Sequence, residues 1–155
     1  MRVNAALLHY AWYEKASPDD IGEPIHSLFR SLALYRAGDQ IRAREKLLET
    51  MIQNIYLLPG LQLLRLPVVP ENIWHSSGLT EPGYFHETPP EFVPAFSREE
   101  VGWIGDQLKS DLFRRMKAEY ISTFAALKHE HNAIKRTAIL DPWSKCRAER
   151  FMLAG

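Results

Sequence analysis

The chain has 155 residues and a mass of 17.9 kDa, which suits one domain, because a single core usually serves about 100–200 residues. Hydrophobic residues make up 46% and charged residues 25%, an ordinary globular balance that excludes a wholly disordered chain. Nineteen Lys+Arg offset nineteen Asp+Glu, so no overall field marks a nucleic-acid or membrane-surface binder. The single cysteine, Cys146, excludes an internal disulfide and fits the cytoplasm or another reducing compartment. No run approaches the about 20 apolar residues that a spanning helix needs, so no membrane partner is expected. No acid precedes Glu14, a feature also compatible with a mitochondrial presequence.

Three stretches differ in character. Residues 1–58 read as helical. Over Val3–Ala16, Val3, Leu7, Tyr10 and Tyr13 recur at helical spacing. Leu8 and Trp12 add a second stripe, which predicts a helix buried on most sides. Ser17-Pro18-Asp19-Asp20 ends it. Pro24 suits the first turn of a second helix, whose apolar face is Ile25, Leu28, Phe29, Leu32 and Tyr35. Gly38 is a left-handed stop, and Asp39 can cap a third helix running to about Leu58. A helical hairpin with a very short turn results.

Residues 59–96 hold seven of the ten prolines, so no long helix can form there. The stretch also carries Trp74, Tyr84, Phe85 and Phe92, too much apolar surface for a solvated linker. It should lie extended across a surface, with one short strand over Leu61–Leu66.

Residues 97–155 open on Ser97-Arg98-Glu99-Glu100, a capping box. Leu108, Leu112, Met116, Tyr120, Leu127 and Ile134 then fall within a limited arc. Unbroken to Leu140, this helix would be about 65 Å long at 1.5 Å per residue, so either it kinks near His131-Asn132 or it projects toward a partner. Asp141-Pro142 opens a last helix with Trp143, Cys146 and Phe151. The expected fold is mainly α, a single-domain bundle of four to five helices with the Pro-rich stretch packed across it.

Chemistry is sparsely signalled. His75, His86, Glu87, His129 and His131 are the candidates for a metal site, but His129 and His131 stand two apart, about 200° apart on a helix, and cannot share a face. Cys146 lies between Lys145 and Arg147 with no base in view, which reads as inert packing. No nucleophile elbow, phosphate loop or dinucleotide fingerprint occurs, and no cofactor is called for. Charge is segregated: residues 59–96 carry a net −3, and Lys109–Arg150 carry a net +5. Arg114, Lys117, Lys128, Lys135 and Arg136 group opposite the apolar arc of the long helix. Stacking aromatics are absent between them, which speaks against nucleic acid.

Leu34-Tyr35-Arg36-Ala37-Gly38-Asp39, followed by Ala43, resembles the turn of a tetratricopeptide repeat, which implies two closely packed helices. It covers the motif once, and such repeats need about three copies to bury a core. Leu34-Tyr35-Arg36 is also similar to the tripeptide of the LYR family, whose members are small helical assembly factors or subunits; Gly38-Asp39 departs from that family's continuous helix.

These observations lead to a non-enzymatic interaction protein or small subunit of a larger assembly. Trp74, Tyr84, Phe85 and Phe92 would be its aromatic anchors, and the long helix with Arg114, Lys117, Lys128 and Lys135 its second surface. Homodimerisation is the simplest version. The alternative is a metal-dependent hydrolase using His75, His86, Glu87 and His129 or His131. A nucleic-acid-binding module using the basic helix face ranks last.

Overall fold

The computed structural model describes residues 3–17, 22–62, 66, 82–84 and 96–153, the last four of them by backbone alone. Trp74, His75, Phe85, His86, Glu87 and Phe92, and most of the Pro-rich stretch, lie outside the described residues. The fold is mainly α, and no strand occurs among the described residues. Among the described residues the helices follow in order: α1 Val3–Ala16, α2 Pro24–Arg36, α3 Gln40–Gln53, α4 Leu57–Leu61, α5 Arg98–Lys109, α6 Asp111–Leu127 and α7 Ala133–Leu153. Leu61 ends α4 rather than starting a strand.

Local chemistry sets most of these boundaries. Pro24 opens α2, where its missing donor costs nothing. Glu23 at the cap position gives no side-chain bond, and the phenol of Tyr84 replaces it: the oxygen accepts from the Ile25 N–H at 3.3 Å and donates to Glu23 Oε2 at 3.4 Å. The α2 C-terminus is a Schellman closure, with Asp39 N–H donating to the Leu34 carbonyl and Gly38 N–H to that of Tyr35, both at 3.0 Å. Gly38 sits at φ +83°, a conformation open to glycine at no steric cost. Asp39 then caps α3 by accepting from the Arg42 N–H at 3.1 Å.

Small residues let α2 and α3 meet closely. Ser31 and Ala43 have no solvent exposure, and Ser31 Oγ donates to the Ala43 carbonyl at 2.7 Å. α3 stops earlier than its apolar pattern suggests. Asn54 is buried, and its Oδ1 accepts from the N–H groups of Tyr56 and Leu57, each at 2.9 Å, which starts the chain afresh into α4.

The long C-terminal helix expected from periodicity is two helices, α5 and α6, followed by α7. Gly102 and Gly105 remain inside α5. The break falls at Ser110, extended at ψ 153°, whose Oγ donates to the Gln107 carbonyl at 2.7 Å and accepts from the Phe113 N–H at 3.5 Å. The second break, at residues 128–132, contains the expected kink. Arg136 Nη1 closes it by donating to the carbonyls of Leu127 at 3.0 Å and Glu130 at 2.8 Å, while Asn132 Oδ1 accepts from the Lys135 N–H at 3.1 Å. Asp141-Pro142 opens no helix; Pro142 lies inside α7. Proline there frees the Ala138 carbonyl and costs the helix about 1–3 kcal/mol, a cost it survives because both residues are exposed to solvent rather than buried.

One apolar core joins α2, α3, α4, α5, α6 and α7 through Leu28, Leu32, Leu47, Leu48, Met51, Leu57, Ile104, Phe113, Met116, Tyr120 and Trp143, with Tyr84 entering from the Pro-rich stretch. α1 contributes no buried residue to it.

Candidate interaction surface

The polar centre of the bundle is Glu100, only 2% exposed. Its Oε2 accepts from the Ser97 N–H at 2.7 Å, completing the capping box of α5. The same carboxylate receives Arg36 Nε at 2.6 Å and Nη2 at 3.0 Å, a two-pronged bridge from the end of α2 to the start of α5. Burial pushes the Glu100 carboxyl up, but the bonds from Arg36 and Ser97 outweigh it and hold it below the usual carboxylate range. Tyr35 reinforces the junction by donating to Glu99 Oε1 at 3.0 Å and packing on Trp103 at 4.6 Å between ring centroids. Gln62 Nε2 donates to the Val101 carbonyl at 2.7 Å. The buried carboxylate of this junction has both of its oxygens bonded within the chain, which makes it a structural joint.

α1 is different. Val3, Ala6, Leu7, Tyr10 and Tyr13 fall on one side and are partly covered, with α2 alongside. Arg30 of α2 fastens the helix by pairing with Glu14 and lying 6.0 Å from the centre of the Tyr10 ring. Lys46 of α3 approaches Glu14 at 3.5 Å. The hydrogen bond from Arg30 is the main reason that the Glu14 carboxyl lies below its usual range; burial raises the Tyr10 phenol. The opposite side presents Ala5, Leu8, His9, Trp12 and Ala16 to solvent. Leu8 is 72% and Trp12 63% exposed, and the His9 ring stacks on Trp12 at 5.8 Å. The second apolar stripe therefore exists as read, but the chain's own core does not cover it.

The other candidates are dispersed. Tyr84 is buried, and its hydroxyl serves α2, so its side chain belongs to the chain's own core. Arg114, exposed, pairs with Asp111 at 2.5 Å and stands one turn from Lys117 on α6. Lys128 lies in the turn after α6 and Lys135 in the first turns of α7, so the basic residues do not form a stripe on one helix. His129 and His131 are exposed on that turn. Among the described residues no group of three His, Cys, Asp or Glu is placed to hold a metal ion. Cys146 Sγ donates to Glu119 Oε2, and the cysteine is partly covered between α6 and α7. No helix among the described residues is long and apolar enough to cross a membrane.

Compared with protein-family models, with characterised proteins and with solved structures, the chain matches none. The site must therefore be read from its own residues. The pair Leu8–Trp12, one helical turn apart on an outward face, is what sequence reasoning took for core. The spacing of a stripe that meets a partner is the same as that of a stripe that meets the protein's own interior.

Proposed function

We propose that this chain is a non-enzymatic interaction protein, or a small subunit of a larger assembly, that docks through the outward face of α1. The observation that carries the reading is an apolar helix with no buried residue and with Leu8 and Trp12 largely in water. A helix apolar on both faces is normally an interior helix, so its outer side calls for a cover. Covering the roughly two-thirds of these two side chains still in water is worth about 2–4 kcal/mol, at about 1.5–3 kcal/mol for full burial of each. They fill only part of the about 800 Å² per partner of a standard interface. Trp74, Phe85, Phe92 and the basic residues Arg114, Lys117, Lys128 and Lys135 are the candidates for the remainder of the footprint. A second copy of the chain is the simplest partner, in the cytoplasm or another reducing compartment.

The test compares wild type with the double variant Leu8→Ser/Trp12→Ser, by light scattering on purified protein across concentration and by native sizing in extracts of the source cell. Self-association gives a mass that rises above 17.9 kDa with concentration; a different partner raises the size only in the extract. In either case the double variant should return to the monomer size while keeping the helix content of wild type by circular dichroism. A wild type that stays monomeric in both settings, or an assembly that the double variant leaves intact, overturns the proposal.

A further inference from the structure

We draw no further inference here: the strongest candidate outside the α1 face, the basic turn between α6 and α7 where Ile134 is exposed between Lys128 and Lys135, is an unpartnered surface patch, and nothing in the structure shows what covers it.

Discussion

Glu100→Gln tests whether the bundle is joined as described. The substitution keeps the side-chain volume and can still accept a hydrogen bond, but it removes the charge that receives Arg36 Nε and Nη2 and the Ser97 N–H. Bonds to charged groups contribute about 1.5–3 kcal/mol, but the Arg36 side chain is 34% exposed, so solvent weakens its part. A loss of about 2–3 kcal/mol is expected, and Glu100→Ala should cost more because a cavity and an unpaired guanidinium add to it. With a urea slope of about 1–3 kcal/mol per molar, Glu100→Gln lowers the unfolding midpoint by about 0.7–3 M, read by tryptophan fluorescence and circular dichroism together. The pH dependence has a defined sign. The folded carboxyl lies below its unfolded value, so its contribution is fully present above the unfolded range near pH 4.3 and is lost as pH falls through the folded value. The gap between wild type and variant should be constant from pH 7 to about pH 5 and close in more acidic solution. A midpoint within about 0.3 M of wild type, or a gap that persists unchanged into acid, refutes the bridge as the α2–α5 joint. A cycle with Arg36→Met should return a coupling energy of about 1 kcal/mol or more.

The other expectations are simpler to read. At a concentration where wild type is monomeric, Leu8→Ser/Trp12→Ser should change unfolding stability by less than about 0.5 kcal/mol per site, because both side chains are mostly in water; a larger loss in a urea titration there would mean that they are core after all. Gly38→Ala should cost about 1 kcal/mol, since a Cβ at φ +83° is strained against its own backbone although nothing beyond its chain neighbours lies within 4 Å of it; an unchanged midpoint would remove the left-handed turn from the account. Pro142→Ala should stabilise the protein by about 1–3 kcal/mol by restoring a donor to the middle of α7, and a fall in helix content by circular dichroism would contradict that. Tyr84→Phe should cost about 1 kcal/mol through the lost partner of the Ile25 N–H, and a melting temperature equal to wild type would show that water replaces the phenol.

What the sequence made legible was whatever depends on neighbours within a few residues. Pro24, Gly38-Asp39 and Ser97–Glu100 act on the backbone within one turn, so their residue types announce the helix ends they make. The breaks at Asn54 and Ser110 were not visible, because both residues are tolerated inside helices and the apolar arc continues through them. Asp141-Pro142 misled for the converse reason. It has the form of a helix start, but the carbonyl that Pro142 frees faces water, so the helix continues. The bridge between Arg36 and Glu100 spans 64 residues of sequence and the bond from Ile25 to Tyr84 spans 59, and no local pattern encodes such partners. The exposure of Leu8 and Trp12 was hidden in another way. Periodicity reports that a face is apolar; whether its cover comes from the same chain is decided by the rest of the fold.

The two kinds of attachment in this bundle bear on how α1 works. Glu100 is buried and hydrogen-bonded on every side, so parting α2 from α5 exposes an ordered ionic joint as well as the core beneath it. Glu14, which anchors α1, has a side chain 49% exposed, and ion pairs in that setting contribute about 0–1 kcal/mol. The inner side of α1 adds only partly covered contacts. A 14-residue helix is marginal by itself in water, so α1 depends on surfaces that it touches, and α2 provides one of them incompletely. A partner laid over Leu8 and Trp12 would bury the outer stripe and shield the ion pair of Arg30 with Glu14 from solvent, strengthening the inner attachment with the same contact. In that arrangement α1 is a shared element: weakly held by its own chain, apolar on the side that its own chain leaves open, and completed by the assembly that it helps to form.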